Sequence, residues 1–193
     1  MSHEVIELKR NPKKNDDLDA LLWVAQAVSK DHDPYPGREV LQNIHVEDGK
    51  DEDCMFAVAT DGKRLHCARL TKEIAPGEYR VWKMLKTVFL AVTTKCEKKY
   101  PGWRDVFPKF NTQDMTHVLI VGGLEKDGAQ LFDLICKIHA LNKSLFNVEY
   151  IGQATSGMRE CSMYQKADTK PLVIRDRCLD WTRTAVFMPL MTT

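Results

Sequence analysis

The predicted order of strands and helices runs twice along this chain, and that repetition restricts the fold more than any single motif. Residues 4–8 alternate between polar and apolar and predict a strand, and the apolar positions after it fall at helical spacing: Leu18, Leu21, Leu22, Ala25 and Val28. Residues 116–121 predict another strand, and the helix from about Asp127 repeats that spacing: Leu131, Leu134, Ile135, Ile138 and Leu141. Two such helices on one face of an antiparallel sheet give an α+β layer with a pseudo-twofold axis.

Several strands are predicted after each helix. In the first half they lie at 40–46, 54–70, 78–83 and 84–99. The last of these runs also fits a helical face, but its β-branched residues and Phe89 favour a strand. In the second half the predicted strands lie at 146–151, 159–165, 172–174 and 182–188. Prolines at 101 and 108 make residues 100–110 an ordered linker in this prediction.

Residues 54–70 hold two apolar, β-prone runs on either side of Thr60-Asp-Gly-Lys63. Asp-Gly between such runs predicts a tight hairpin. Gly62 supplies the positive φ that a primed turn needs, and Asp61 tolerates that conformation or caps the turn with its own carboxylate. An Asp-Gly turn alone indicates a hairpin and no particular function.

Three motifs together resemble the bacterial sliding clamp family, the beta subunit of DNA polymerase III. Residues 59–65 read Ala-Thr-Asp-Gly-Lys-Arg-Leu, residues 100–108 read Tyr-Pro-Gly-Trp-Arg-Asp-Val-Phe-Pro, and residues 185–190 read Ala-Val-Phe-Met-Pro-Leu. The resemblance covers nearly the whole chain as a single DNA-clamp-like domain, 1–193. It implies two β-α-β-β-β half-domains, at about 1–99 and 116–193, joined by the linker 100–115. These would form an antiparallel sheet with two helices on one face.

The resemblance also implies a hydrophobic pocket for a short, glutamine-led apolar peptide from a DNA polymerase or another clamp-motif protein. The positions that match the pocket of the family are Thr60, Gly62, Lys63, Arg64, Leu65, Pro108, Val186, Met188, Pro189 and Leu190. Leu65, Val186, Met188 and Leu190 would form its apolar floor. The chain would then be a non-enzymatic processivity factor in DNA replication.

This chain departs from the family in where the motifs fall. A clamp has three domains, and its pocket lies between two of them, with the hairpin from one and the Met-Pro strand from the next. Here both motifs fall within one predicted domain, and the Tyr-Pro-x-Trp segment joins two halves of a domain where the family joins two domains. The pocket therefore forms across copies of the chain, or it is rebuilt or lost.

The charge pattern makes DNA contact a weak element of this interpretation. The net charge is +1, so attraction to nucleic acid must come from local groups. The exposed faces of the two predicted helices offer Lys30 and Lys137 for non-specific contact with double-stranded DNA. A six-domain ring would need six copies, so the clamp hypothesis expects a closed homo-oligomer built through edge strands. The alternative is a monomeric or dimeric clamp-derived adapter or decoy that binds clamp-directed peptides without encircling DNA.

Other kinds of site find little support in the sequence. Asp61, His66 and Cys67 are close along the chain, but neighbours on a strand point to opposite faces, so we expect neither a metal ligand set nor a thiol nucleophile. No phosphate-binding glycine loop or Ser-His-Asp arrangement stands out, and we expect no enzyme, no catalytic residues and no cofactor. We expect the six cysteines to be reduced thiols, because they form no Cys-x-x-Cys pair. The sequence has no membrane-length apolar run and no signal peptide, so we expect a cytoplasmic protein with no membrane partner.

Overall fold

The computed structural model describes residues 5–9, 16–30, 38–49, 54–70, 74–85, 88–94, 98–107, 117–122, 136, 145–158, 160–165, 170–176 and 183–190. The elements whose bounds it gives are ten strands, two α-helices and three short 3-10 helices. They fall in two units, Met1–Trp103 and Arg104–Thr193, which we call the first and second unit.

The strands of the first unit form an antiparallel sheet in the order β1-β6-β5-β2-β3-β4. Their bounds are β1, Val5–Lys9; β2, Asn43–Asp48; β3, Met55–Thr60; β4, Arg64–Leu70; β5, Gly77–Leu85; and β6, Val88–Thr93. The hairpin predicted at 54–70 is confirmed as β3 and β4, which pair from Met55 with Leu70 to Thr60 with Leu65. Strand β1 ends this sheet and pairs with β6 alone among the described strands.

Two strand predictions in the first unit needed different bounds. Residues Glu39–Gln42 form a 3-10 helix, so the strand predicted from residue 40 begins at Asn43. The run 84–99 was predicted as one strand, but it contains the end of β5 at Leu85 and then β6, which stops at Thr93. The preference for strand over helix in this run is confirmed, because Val88–Thr93 form β6, which pairs with β1 and β5.

Helix α1, Asp16–Val24, packs mainly on β4 and also contacts β3 and β6. Its buried side chains lie at the helical spacing expected from the sequence and include Leu18, Leu21 and Val24. The predicted helix extended to Val28, but the chain tightens into a 3-10 helix at Ala25–Ala27, and Val28 has the backbone angles of a strand. The helix thus covers one face of the sheet with aliphatic side chains, which forms the core of the first unit.

The strands of the second unit follow the antiparallel order β10-β9-β8-β7. Their bounds are β7, His117–Gly122; β8, Glu160–Gln165; β9, Leu172–Asp176; and β10, Arg183–Phe187. These four strands were predicted from the sequence within one or two residues. The helix predicted from Asp127 to Leu141 lies outside the described residues, apart from position 136.

The strand predicted at 146–151 is wrong, because helix α2 occupies Val148–Thr155. The Asn147 side-chain oxygen caps it by accepting hydrogen bonds from the backbone N–H groups of Glu149 at 2.9 Å and Tyr150 at 3.4 Å. Phe146 and Ile151 are both buried and hold the two positions at which a hydrophobic staple forms. Apolar and β-branched residues suggested a strand, but the cap and the burial of Ile151, Ala154 and Thr155 at helical spacing decide for a helix.

Replacing the cap tests this correction. We expect Asn147→Ala to lower the free energy of unfolding by about 1 kcal/mol, since two N–H groups of the first turn lose their acceptor. Asn147→Asp, which keeps an acceptor oxygen and adds a charge that favours a helix N-terminus, should stay close to wild type. Urea denaturation followed by circular dichroism measures both. Equal losses for the two variants would contradict the capping role.

Candidate peptide-binding site

The turn between β3 and β4 is fixed by its own side chains. The Asp61 carboxylate oxygen Oδ1 accepts from the backbone N–H groups of Lys63 at 2.9 Å and Arg64 at 3.0 Å. The Thr60 hydroxyl donates to the Arg64 carbonyl at 2.6 Å and accepts from the Gly62 N–H at 3.0 Å. Gly62 has a backbone φ of 85°, a conformation that residues other than glycine rarely adopt. The predicted roles of Asp61 and Gly62 in the turn are therefore confirmed.

The predicted site residues of this hairpin divide into an exposed and a buried group. Gly62 and Lys63 are exposed, and Thr60 is half-buried. Leu65 is buried, and so is Arg64, whose Nε donates to Asp61 Oδ2 at 3.1 Å and whose Nη2 donates to the Gln26 carbonyl. Arg64 therefore joins the turn to the 3-10 helix after α1. Within the first unit, Arg64 and Leu65 lie beneath the exposed surface of the hairpin.

His66 is held in the core of the first unit. Its ring stacks on Trp23 with 4.2 Å between the ring centroids, and its Nδ1 lies 3.0 Å from the Trp23 carbonyl oxygen. Because a carbonyl only accepts, Nδ1 carries the proton. Burial lowers the pKa of His66 to about 3 against the opposing effect of this hydrogen bond, and the Arg64 charge lowers it further. His66 is a neutral core residue, and among the described residues no group of three potential metal ligands lies together.

The start of the linker packs against the first unit through two aromatic rings. Tyr100 stacks on His45 of β2, with ring centroids 4.8 Å apart and planes 10° apart. Trp103 packs against Phe56 of β3 at a centroid distance of 5.8 Å and begins a 3-10 helix, Trp103–Val106. We call Tyr100–Trp103 the linker anchor. Pro108, predicted as a site residue, lies outside the described residues.

The second unit places an exposed apolar cluster beyond the end of β10. Val186 is buried within the strand, whereas Met188 and Leu190 are about half exposed and Pro189 is intermediate. The Leu190 N–H donates to the Leu145 carbonyl at 2.8 Å, which joins this segment to the residues before α2. Leu145 and Val148 are also exposed. We call Leu145, Val148, Met188 and Leu190 the second-unit apolar patch.

The sequence analysis named two of the four residues of the second-unit apolar patch. Met188 and Leu190 were predicted as site residues, but Leu145 and Val148 were not. Val148 lies in the stretch 146–151, which was predicted as a strand but begins a helix, and Leu145 precedes that stretch. An asparagine before the helix was the available signal.

The remaining predicted residues carry positive charge. Lys30 is exposed after the 3-10 helix that follows α1. Lys137 lies outside the described residues.

Among the described helices, none is long and apolar enough to cross a membrane.

The architecture is that of a DNA sliding clamp. The chain has the fold of the beta subunit of bacterial DNA polymerase III, as three solved clamps show. The clamp from Bacillus subtilis is 16% identical, with 99% of this chain covered and a TM-score of 0.63. The beta chain from Streptococcus pneumoniae is 12% identical, with 97% covered and a TM-score of 0.62. A Bartonella birtlesii clamp bound to griselimycin is 16% identical, with 98% covered and a TM-score of 0.61.

The similarity is structural and covers part of each clamp. The chain spans 65% of the Bacillus subtilis and Streptococcus pneumoniae clamps and 66% of the Bartonella birtlesii clamp. No family model matches the sequence, and no curated protein matches it. The resemblance noted in the sequence is confirmed at the level of the fold. The division into half-domains at 1–99 and 116–193 stays a prediction.

Proposed function

We propose that this chain is a non-enzymatic, clamp-type module that tethers a DNA polymerase or another DNA-acting protein through a short apolar peptide. The observation that carries the proposal is the second-unit apolar patch, which includes Met188 of the Met-Pro motif in a chain with the sliding-clamp fold. One matched clamp was solved with griselimycin bound, so a protein of this fold accommodates a ligand.

The chemistry of the patch suits a peptide of varied sequence. Met188 is unbranched and polarizable, so it adapts to different apolar side chains. Leu190 is held by the hydrogen bond from its N–H to the Leu145 carbonyl, so its side chain is presented from a fixed backbone. The four exposed apolar side chains lie on two segments that one backbone hydrogen bond joins, and we infer that they act together as an interaction surface.

The buried members of the predicted site have a supporting role in this proposal. Leu65 and Val186 are 3% and 1% exposed, so they hold the hairpin and β10 in shape and offer little surface to a peptide. The exposed backbone of Gly62 and the Lys63 side chain remain available on the first unit. Variants that test binding should therefore change Met188 or Leu190, because an aspartate at Leu65 or Val186 would bury an unpaired charge and unfold the protein.

Peptide titration tests the proposal. Fluorescence anisotropy with a fluorescein-labelled, glutamine-led apolar peptide should show saturable binding to the wild-type chain. We expect Met188→Asp and Leu190→Asp each to weaken binding at least about tenfold, which corresponds to about 1.4 kcal/mol. The change removes apolar contact and puts a charge in its place.

Leu85→Asp is the matched control for Leu190→Asp. Leu85 is 51% exposed and Leu190 is 52% exposed, but Leu85 lies on β5 in the first unit. Its substitution should leave the peptide affinity unchanged. Absence of binding by the wild-type chain ends the proposal, and equal weakening by Leu85→Asp would show that the second-unit apolar patch is not the site.

Ring assembly and DNA contact extend the proposal. Strand β1 has only β6 beside it among the described strands, so its other edge can pair with a second copy. Light scattering at high protein concentration tests assembly, and a strict monomer would remove the ring.

Loose contact of Lys30 and Lys137 with phosphates predicts weak, salt-dependent binding to duplex DNA, which Lys30→Glu and Lys137→Glu should reduce further.

A further inference from the structure

His45 lies between two carboxylates that come from different strands. It is on β2 directly opposite Glu78 of β5, and its Nδ1 is 2.7 Å from Glu78 Oε1. Its Nε2 is 3.1 Å from Oε2 of Glu47, two residues along β2. The three side chains are 17% to 29% exposed. Each ring nitrogen thus has a carboxylate oxygen within hydrogen-bonding distance.

This geometry requires a charged imidazole. A neutral ring has one N–H and can donate to one carboxylate, whereas the imidazolium has two and satisfies both. Burial acts to lower the pKa of His45, but the hydrogen bonds and charges of Glu78 and Glu47 together outweigh it and raise the pKa. The proton on His45 is therefore retained above the pH at which an exposed histidine loses it.

Tyr100 covers the imidazolium from the linker. Its ring lies parallel to that of His45, which places a π face against a cation. Burial, together with the Glu78 charge, raises the pKa of the Tyr100 hydroxyl, so it stays neutral. The Cys67 thiol of β4 also lies near Tyr100, and β3 places the apolar Val58 opposite His45. Of the groups named here, His45 is the one whose ordinary pKa, 6.5, is closest to neutral pH.

We propose that protonated His45 holds the linker anchor, Tyr100–Trp103, against the sheet of the first unit, and that loss of the proton releases the anchor. Deprotonation leaves one ring nitrogen without a proton, so one of the two glutamates loses its donor, and it removes the charge under the Tyr100 ring. Trp103 follows three residues later and packs on Phe56, so it moves with the anchor. The linker motif singled out in the sequence then responds to pH.

The sign of the effect follows from the direction of the shift. Because the folded-state pKa of His45 is raised above its ordinary value of 6.5, its contribution to stability is fully present below that value. The contribution is lost as the pH rises through the folded-state pKa. The anchor is therefore closed below pH 6.5 and loosens as the pH rises through the folded-state pKa of His45.

Fluorine and carbon NMR on the full chain test this proposal. The chain has four tryptophans, so 5-fluorotryptophan labelling gives few signals, and Trp103→Phe assigns the one that matters. Histidine labelled at its ring carbon reports protonation, and His45→Gln assigns that signal. In a titration between about pH 5.5 and 9, we expect His45 to titrate above its ordinary pKa and the Trp103 signal to change with the same midpoint.

Two variants and an internal control decide the outcome. In His45→Gln the Trp103 signal should not change with pH. Glu78→Gln should lower the midpoint of His45 and move the Trp103 midpoint by the same amount, which a purely structural role for His45 does not predict. His66, with its pKa lowered to about 3, should not titrate in this range. A titrating His45 with an unchanged Trp103 signal, or a Trp103 transition that persists in His45→Gln, overturns the proposal.

Discussion

Replacing Arg64 by methionine should lower the free energy of unfolding by about 3 kcal/mol. The Arg64 side chain is 6% exposed, and it donates both to the Asp61 carboxylate and to the Gln26 carbonyl. Methionine keeps much of the volume but removes both hydrogen bonds and the charge that faces the partly buried Asp61. The turn and the end of the α1 region then lose the group that connects them. Urea denaturation followed by tryptophan fluorescence measures the loss.

Lys63→Met is the matched control for this variant. Lys63 directly precedes Arg64 and is exposed, and its substitution leaves the Asp61 carboxylate bonded to Arg64. The free energy of unfolding of this variant should therefore stay within about 0.5 kcal/mol of wild type. Arg64→Lys should fall between the two, because it keeps the charge but cannot reproduce both contacts of a guanidinium. Equal effects at positions 63 and 64 would mean that the contacts of Arg64 do not stabilise the hairpin.

The contrast between Asp61 and Arg64 shows which parts of the hairpin the sequence could predict. The turn is built from contacts within four residues, between Asp61 and the backbone of Lys63 and Arg64, so its residue types were sufficient. Arg64 bonds to the carbonyl of Gln26, which is 38 residues away along the chain. Periodicity carries no information about such a partner, and Arg64 was predicted only as a position that matches the peptide-binding pocket of the family.

Helix α2 illustrates a different limit. Val148 and Ile151 favour a strand by propensity, and the run is too short for helical periodicity to stand out. The local signal that decides the structure is the Asn147 cap, with Phe146 and Ile151 at the staple positions. The sequence contains the capping residue, but the strand prediction did not take it into account.

The residues of the candidate site were predicted from the resemblance, and the structure divides them into exposed and buried positions. The motif positions include the exposed Met188 and Leu190 together with the buried Leu65 and Val186. Alternation along β10 cannot predict that Val186 is buried and Met188 exposed, because the strand ends at Phe187 and the chain beyond it no longer alternates. The exposed surface of the patch is a property of tertiary structure, and it also includes Leu145 and Val148.

Phe187→Ala should destabilise the protein by about 3 to 5 kcal/mol. Phe187 is 2% exposed, is the last residue of β10 and pairs with the buried Leu172 of β9. Removing the ring opens a cavity that the surrounding strands can fill only in part. Thermal or urea unfolding followed by circular dichroism measures the loss, and the transition should shift to lower temperature or lower urea concentration.

Met188→Ala completes a pair that separates folding from binding. Met188 follows Phe187 directly but is 48% exposed, so its truncation should change the free energy of unfolding by no more than about 0.5 kcal/mol. The same variant should weaken the labelled peptide several-fold if the second-unit apolar patch binds it. Phe187→Ala, studied at a temperature where it remains folded, should retain more of the peptide affinity than Met188→Ala. A Met188→Ala protein with lost stability and unchanged affinity would place Met188 in the core and remove it from the proposed site.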